Sequence, residues 1–299
     1  MKIAYLLLVH TAPRHLVRLI DALTCDSNRF FVHVDAKADI GKYSGLLQGK
    51  PVEILPVRVP VYWGDFSVVE AILHLLASAL AHPARYDYFT LMSGVDYPLQ
   101  VNSYIMDFFE QRSGCDFINM VPMPAPQLGK EISRLTRYKC RPGERRFLPR
   151  TRDYKKVFGK VVPYAGSTWW SLTRETCEKI LDFAHHQAHI LEFYKNTDCP
   201  DEGFFQTAIA NSVPHGQTRM NLTYTHWDRG AARPSEISET HLDFLTQDIV
   251  RSRSGYGEGE LLFARKFSDE RGDIVDRMNE IIRGKHARTS APSSLRRGA

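Results

Sequence analysis

The sequence lacks any apolar run long enough to cross a membrane, which requires about 20 residues. Its first hydrophobic segment, residues 3–9, is followed at once by His10 and soon afterwards by Arg14. A secretory signal peptide has a longer apolar region and a different charge pattern around it. The segment therefore predicts a buried first strand.

Cysteine is scarce, and its pattern excludes two classes of protein. The five cysteines, an odd number, contain no C-x-x-C pair; they are Cys25, Cys115, Cys140, Cys177 and Cys199. Disulfide frameworks and structural zinc sites both need paired, regularly spaced cysteines. We therefore expect free thiols in a reducing cytoplasm. The sequence also lacks a G-x-S-x-G elbow and any readable Ser-His-Asp arrangement, so a hydrolase is poorly supported.

With 299 residues, 43% of them hydrophobic and 24% charged, the chain is long enough for a large core. Strand and helix patterns alternate through the first 122 residues, beginning with a βαβ unit over residues 2–35. The sequence therefore predicts an α/β protein with a mostly parallel sheet. We also expect Ser67 and Thr173 to cap the helices that follow them.

Two aspartates follow predicted strands in this half of the chain. Asp35 ends the second strand, and Asp96 stands in a tight turn after the buried segment 86–92. Open α/β sheets bind nucleotides beyond the carboxyl ends of their strands. This position predicts that Asp35 lies near a nucleotide. Asp96 is either a turn-forming residue or a ligand contact.

A loop signal at Pro200 precedes two adjacent carboxylates, Asp201 and Glu202, and then a helix-like run to Ser212. The positive end of a helix dipole keeps a nearby carboxylate ionised. An ionised carboxylate in this position is suited to act as a general base. The alternative is that both acids only cap the helix.

Residues 166–173 are aromatic and β-rich, and they contain the pair Trp169 and Trp170. Such a pair can form a wall on which a sugar ring stacks, or it can belong to the core. The helix that follows ends in His185, His186 and His189. These histidines lack the H-E-x-x-H pattern or a third ligand, so the sequence does not favour a metal site there.

The segment 130–156 contains eleven Lys or Arg residues and three acids. Such a patch suits phosphate groups or an anionic membrane surface, although a solvated basic loop explains it as well. Few aromatic residues interleave the charges, so nucleic-acid binding is poorly supported. Further along, Arg265 and Lys266 stand in an otherwise apolar segment, 261–267. Cations in apolar surroundings need an anionic partner, and a bound diphosphate would be one.

Six stretches together resemble the core-2/I-branching β-1,6-N-acetylglucosaminyltransferase family, which also contains the protein O-xylosyltransferases. They occur in the family's order, between residues 3 and about 283, at positions 31–37, 63–67, 91–99, 166–172, 200–206 and 263–267. The resemblance implies a GT-A-like glycosyltransferase fold, in which a Rossmann-like, mostly parallel sheet is flanked by helices. It also implies inverting transfer from a UDP-sugar, most simply UDP-N-acetylglucosamine, to a glycan.

The resemblance also implies roles for particular residues. Glu202 matches the family's general base, and no metal is expected because the Asp-x-Asp tripeptide is absent. Arg265 and Lys266 would instead neutralise the leaving UDP. The expected donor contacts, in addition to these two cations, are Val9, Val32, His33, Asp35, Ser93 and Asp96. The expected contacts of the acceptor or the sugar are Trp169, Trp170 and Asp201.

We expect one glycosyltransferase domain over residues 1–283, with a nucleotide-binding half at about 1–122, an acceptor and catalytic half at about 123–283, and a disordered tail at 284–299. The family's paired cysteines and membrane anchor are absent, which is typical of a bacterial, cytoplasmic relative. A surface polysaccharide or a lipid-linked glycan at the inner face of the membrane is then the expected acceptor. The alternatives are transfer of xylose or another sugar, and a non-catalytic, nucleotide-binding peripheral membrane protein.

Overall fold

The computed structural model describes residues 1–140, 151–214, 216–228, 230–231 and 233–290. Strands and helices alternate through the first part of the chain, as the hydrophobic periodicity predicts. These elements are β1 (Ile3–Val9), α1 (Pro13–Leu23), β2 (Asn28–Val34), α2 (Gly41–Leu47), β3 (Val52–Ile54), α3 (Ser67–Ala81), β4 (Tyr88–Ser93), β5 (Asp96–Pro98), α4 (Asn102–Gln111) and β6 (Asp116–Pro122).

The second part of the chain is less regular, and it contains two single 3-10 turns, Pro126–Leu128 and Pro200–Glu202. Its other elements are α5 (Ser133–Thr136), α6 (Tyr154–Phe158), β7 (Tyr164–Thr173), α7 (Arg174–His186), α8 (Ala188–Tyr194), α9 (Phe204–Ser212), β8 (Thr218–Arg219), β9 (Thr223–Thr225), α10 (Glu239–Leu245), β10 (Arg251–Ser254), β11 (Gly257–Glu260), β12 (Phe263–Arg265) and α11 (Gly272–Ser290).

A seven-stranded sheet in the order β3-β2-β1-β4-β7-β6-β8 forms the centre of the molecule. Strand β7 is antiparallel to both of its neighbours, whereas the other pairs of neighbouring strands are parallel. The predicted α/β class with a mostly parallel sheet flanked by helices is confirmed. Smaller sheets are formed by β5-β12-β9 and by the hairpin β10-β11.

Two hydrophobic clusters cover the two faces of the central sheet. Side chains alternate across a strand, so Tyr5 and Leu7 of β1 join one cluster and Leu6 joins the other. Helix α1 packs into the first cluster, and α3, α7 and α9 pack into the second. Because helices cover both faces, the central strands β1, β2 and β4 are mostly apolar and buried.

The expected helix caps have different outcomes. Thr173 caps α7, since its side chain accepts the N–H of Thr176. Ser67 does not cap α3 but is its first residue. The Asp65 carboxylate accepts the N–H of Ser67, while the Ser67 hydroxyl accepts the N–H of Tyr62 in the preceding loop. The Asp65 carboxylate, two residues upstream, therefore binds the N–H at the start of the helix in place of the serine hydroxyl.

The expectation of a disordered tail from residue 284 is wrong for its first residues, because α11 continues to Ser290. Lys285 is buried, and its ammonium donates hydrogen bonds to the carbonyls of Leu99 (3.2 Å) and Leu245 (2.8 Å). These contacts fix the helix against two distant parts of the chain. Residues 291–299 lie outside the described residues.

Candidate active site

The carboxyl ends of β1, β2 and β4 meet at one edge of the sheet. The Asp35 N–H donates to the Val9 carbonyl (2.8 Å), and the Gly94 N–H donates to the Leu8 carbonyl (2.9 Å). A Cβ at Gly94 would lie 2.9 Å from a methyl group of Val9. Glycine therefore allows the chain after Ser93 to approach β1 closely, and three loops converge at this edge.

The predicted donor residues at this edge differ in accessibility. Val9 and Val32 are core residues, and His33 is buried with its Nε2 accepting the Val59 N–H (2.9 Å). Burial lowers the pKa of His33 to about 4, so the ring is neutral at physiological pH. A ligand could meet these three residues only through their backbone. Asp35 is also buried, and it binds the Lys37 ammonium at 2.8 Å.

His10, at the end of β1, lies in the field of the charges at this edge. Desolvation lowers the pKa of His10, Asp35 opposes this effect, and Lys266, Lys37 and Arg265 add to it. The segment that carries Arg265 and Lys266 is fixed beside these strand ends, since the Phe267 N–H donates to the Val95 carbonyl (2.8 Å). Sequence reasoning did not select His10, although its position directly after a buried strand was a usable signal.

Asp96 and Arg265 face each other across the small sheet, where β5 and β12 pair antiparallel. Arg265 Nε lies 3.2 Å from Asp96 Oδ1, in an ion pair without hydrogen-bond geometry. The other Asp96 oxygen accepts the N–H of Ser93 (3.0 Å). Burial raises the pKa of Asp96 to about 6, and Arg265 limits the rise.

The Arg265 guanidinium lies 4.0 Å from the centre of the Trp169 ring, a cation–π contact that fixes it from the other side. Burial lowers the pKa of Lys266, and the neighbouring cations Arg265 and Arg233 lower it further. Within the described chain, Arg265 is paired with Asp96, whereas Lys266 forms no salt bridge. A bound anion near Lys266 would offset this positive charge.

Glu202 ends the 3-10 turn that precedes α9. Its Oε2 accepts hydrogen bonds from the Lys130 ammonium (2.6 Å) and from Arg134 Nη1 (2.7 Å). The side chain remains 29% exposed. The predicted basic segment therefore supplies two cations directly to the predicted base. Sequence reasoning counted both cations but assigned neither to Glu202.

Asp201 lies beside Glu202 in different surroundings. Its Oδ2 accepts a hydrogen bond from the Thr168 hydroxyl (2.6 Å), while its Oδ1 is buried without a partner among the described residues. Burial raises the pKa of Asp201 to about 6, the charge of Glu202 adds to the rise, and Thr168 opposes it. Asp201 is thus held by β7, whereas Glu202 is held by cations.

The two tryptophans of β7 differ in exposure. Trp170 is 2% exposed and packs in the core with Phe205, at 6.0 Å between ring centres. It therefore takes the core alternative, and its expected contact with the acceptor or the sugar stays a prediction. Trp169 is half-buried and lies under Arg265.

An exposed aromatic residue, Trp63, lies near the 3-10 turn Pro200–Glu202, and 75% of its surface is exposed. The carbonyl of the next residue, Gly64, accepts the N–H of Cys199 (3.0 Å) and the ammonium of Lys139 (2.6 Å). Lys139 also pairs with Asp198 at 2.6 Å. The loop that carries Trp63 is therefore fixed to the chain just before Glu202.

Several other expectations concern metals, membranes and the basic segment. Within the described residues, no three His, Cys, Asp or Glu side chains form a cluster that could hold a metal ion. None of the helices described here is long and apolar enough to span a membrane. Residues 141–150 of the basic segment, including Arg141, Arg145, Arg146 and Arg150, lie outside the described residues.

The chain is similar to animal xylosyltransferases. It is 27% identical to xylosyltransferase 2 of Homo sapiens over 286 residues, which cover 89% of this chain and 32% of that protein. It is 24% identical to a xylosyltransferase of Ciona intestinalis over 311 residues, which cover 95% of this chain and 34% of that protein. The chain thus spans about a third of the length of these relatives.

A solved structure described as a glucose-1-phosphate thymidylyltransferase of Bacillus anthracis covers 73% of this chain, and 86% of that chain is matched. The TM-score is 0.32 and the identity 10%, values too low to support an argument about function. The family described as "Core-2/I-Branching enzyme" matches residues 3–249, which is most of the sequence. The resemblance carried by the six motifs is therefore confirmed, and the chain belongs to the Core-2/I-Branching enzyme family of glycosyltransferases.

Proposed function

We propose that this chain is an inverting, metal-independent glycosyltransferase that moves a sugar from a UDP-sugar to a glycan acceptor. The observation that carries the proposal is the position of β7 between two sets of charged residues. Thr168 binds Asp201 beside Glu202, and Trp169 lies under Arg265. Neighbouring residues of one strand thus connect a carboxylate pair to a cation pair, and the substrates would bind between them.

In this reaction Glu202 accepts the proton of the acceptor hydroxyl as its oxygen attacks the anomeric carbon. The bond between that carbon and the UDP oxygen breaks, and its electron pair leaves with UDP. Arg265 and Lys266 stabilise the negative charge that develops on the diphosphate. Attack opposite to the leaving group inverts the anomeric configuration. Lys266 supports this assignment, because it forms no salt bridge with the described residues and a diphosphate would supply an anion.

Two observations favour different donor sugars. The six sequence motifs predict N-acetylglucosamine, and this remains a prediction. The similarity to proteins named xylosyltransferases favours xylose as the second candidate. Both sugars are compatible with a site that recognises the UDP moiety through Asp35 and the two C-terminal cations.

For the acceptor we propose a glycan, with a lipid-linked form at an anionic membrane surface as the more specific version. This version rests on the charge of the segment 130–156. Exposed Lys and Arg residues near such a surface each contribute about 1 kcal/mol of attraction. Four of these residues, Arg141, Arg145, Arg146 and Arg150, belong to the part of the segment outside the described residues.

The test is to incubate the protein with UDP-N-acetylglucosamine, UDP-xylose, UDP-glucose and UDP-galactose and to measure UDP release. Release from one donor, rising with an added glycan acceptor and lost in Glu202→Gln, would support the proposal. A non-catalytic, nucleotide-binding protein would bind UDP in calorimetry yet release none from any donor, and this result would contradict the proposed function.

A further inference from the structure

Two cations hold Glu202 from a part of the chain far away in sequence. Lys130 follows the 3-10 turn Pro126–Leu128, and its backbone is fixed in a β-bridge with Ala125. Its side chain is only 8% exposed, so the ammonium has little freedom to leave its partner. Arg134 lies in α5, one helical turn further on, with a side chain that is 23% exposed.

Both cations bind the same oxygen of Glu202. The distances from Oε2 are 2.6 Å to Lys130 Nζ and 2.7 Å to Arg134 Nη1, as expected of strong charge-assisted hydrogen bonds. Within the described residues, no donor binds Oε1, and this oxygen is not among the buried polar atoms without a partner. One oxygen is therefore saturated, while the other remains accessible to a substrate.

The rest of the turn is also fixed. Asp201 is tied to β7 through Thr168, and the Gly203 N–H binds the Pro200 carbonyl (3.0 Å). Rotating the Glu202 carboxylate would break two charge-assisted bonds, one of them to a buried ammonium. The two cations also offset the repulsion between the adjacent carboxylates of Asp201 and Glu202. Burial opposes ionisation of Arg134, yet its bond to Glu202 raises its pKa above the usual value.

We propose that Lys130 and Arg134 are positioning residues that clamp Glu202 through Oε2 and thereby make Oε1 the atom that accepts the acceptor's proton. The inference rests on the proposed function, and it assigns the start of the basic segment to catalysis. The clamp holds the base at one orientation before the acceptor binds.

The first experiment tests the contact without using activity. Thermal unfolding is measured for Lys130→Met, Glu202→Gln and the double variant. Glu202→Gln leaves a buried ammonium without its carboxylate, and removing that ammonium relieves the penalty. The loss in Tm of the double variant should therefore be clearly smaller than the sum of the two single losses. Additive losses would overturn the clamp, whatever the activity of the enzyme.

The second experiment tests the positioning role, with water as the acceptor and UDP-N-acetylglucosamine or UDP-xylose as the donor. Lys130→Met and Arg134→Met should lower kcat for UDP release by roughly 10- to 100-fold, since misplaced catalytic groups lose rate on that scale. The donor KM should be unchanged.

Two further variants separate this role from a merely structural one. Arg134→Lys retains a cation within reach of Oε2 and should recover a large part of the rate lost in Arg134→Met. Lys156→Met removes a lysine of the same segment that is 84% exposed, and it should behave as the wild type. A kcat for UDP release equal to that of the wild type in Lys130→Met would overturn the positioning role, even if the stability measurements show coupling. Absence of UDP release by the wild type from all four UDP-sugars, with or without an added glycan acceptor, would instead overturn the proposed function.

Discussion

Asp201 and Glu202 are adjacent in sequence, yet their surroundings prepare them for different tasks. Glu202 is partly exposed and held by two cations, whereas Asp201 is bound to Thr168 and has an elevated pKa. If Glu202 is the general base, Glu202→Gln keeps the shape but cannot accept a proton. UDP release should fall by about 10²- to 10⁴-fold with UDP affinity preserved, as measured by kinetics and calorimetry. Turnover near that of the wild type would show that another group is the base.

The pKa of Asp201, raised by burial from 3.8 to about 6, makes a second prediction at this scale. Between about pH 4 and 6 the folded state binds more protons at this carboxyl than the unfolded state does, so stability falls as the pH rises. Asp201→Asn cannot titrate. Relative to this variant, the wild type should lose up to about 3 kcal/mol of unfolding free energy across the window. Denaturant unfolding at several pH values measures it, and parallel curves for both proteins would contradict it.

Among the elements, β7 is the strand that brings the two charged sites together, and its start depends on Gly166. A Cβ at Gly166 would lie 1.6 Å from the Asn119 carbonyl oxygen of β6, beside a register shift between these strands. The backbone of β6 or β7 must move to accommodate this added Cβ. Gly166→Ala should therefore destabilise the protein by about 3 kcal/mol or more in denaturant unfolding. Gly45→Ala, with no atom within 4 Å of the new Cβ, is the control and should be neutral or slightly stabilising.

Helix α11 depends on a buried cation that binds carbonyl groups. Lys285→Met would leave the carbonyls of Leu99 and Leu245 without this donor, and each buried group that loses its partner costs about 1–3 kcal/mol. We expect a lower Tm for this variant. Arg283→Met, which changes an exposed residue of the same helix, should leave Tm nearly unchanged. Equal Tm values for both variants would show that the Lys285 contacts do not anchor the helix.

At the scale of the whole molecule, the fold brings cations from late in the sequence close to the ends of the N-terminal strands. Arg265 and Lys266, more than 250 residues from His10, lie close enough to influence its ionisation. If these cations replace a metal ion, UDP release should persist in excess EDTA, and Lys266→Ala should weaken UDP binding. Activity that EDTA abolishes and manganese restores would contradict metal independence.

The sequence by itself determined the α/β architecture, because strand and helix periodicities are local properties of the chain. It also determined the family, through six short motifs in a fixed order. These signals place Asp35 and Asp96 after strands and Glu202 before a helix. Local pattern could not separate Trp169 from Trp170, since both neighbours fit the same strand and only tertiary packing decides which ring is buried.

Only the tertiary structure decided which charges meet. Lys130 and Arg134 are 72 and 68 residues from Glu202, and nothing in a run of eleven cations distinguishes the two that bind it. The same holds for Lys285, whose Ser/Arg-rich surroundings predict disorder although its ammonium is buried between distant carbonyls. A side chain's charge is a local property, but its partner is set by long-range packing, and this protein's candidate site is built from such partners.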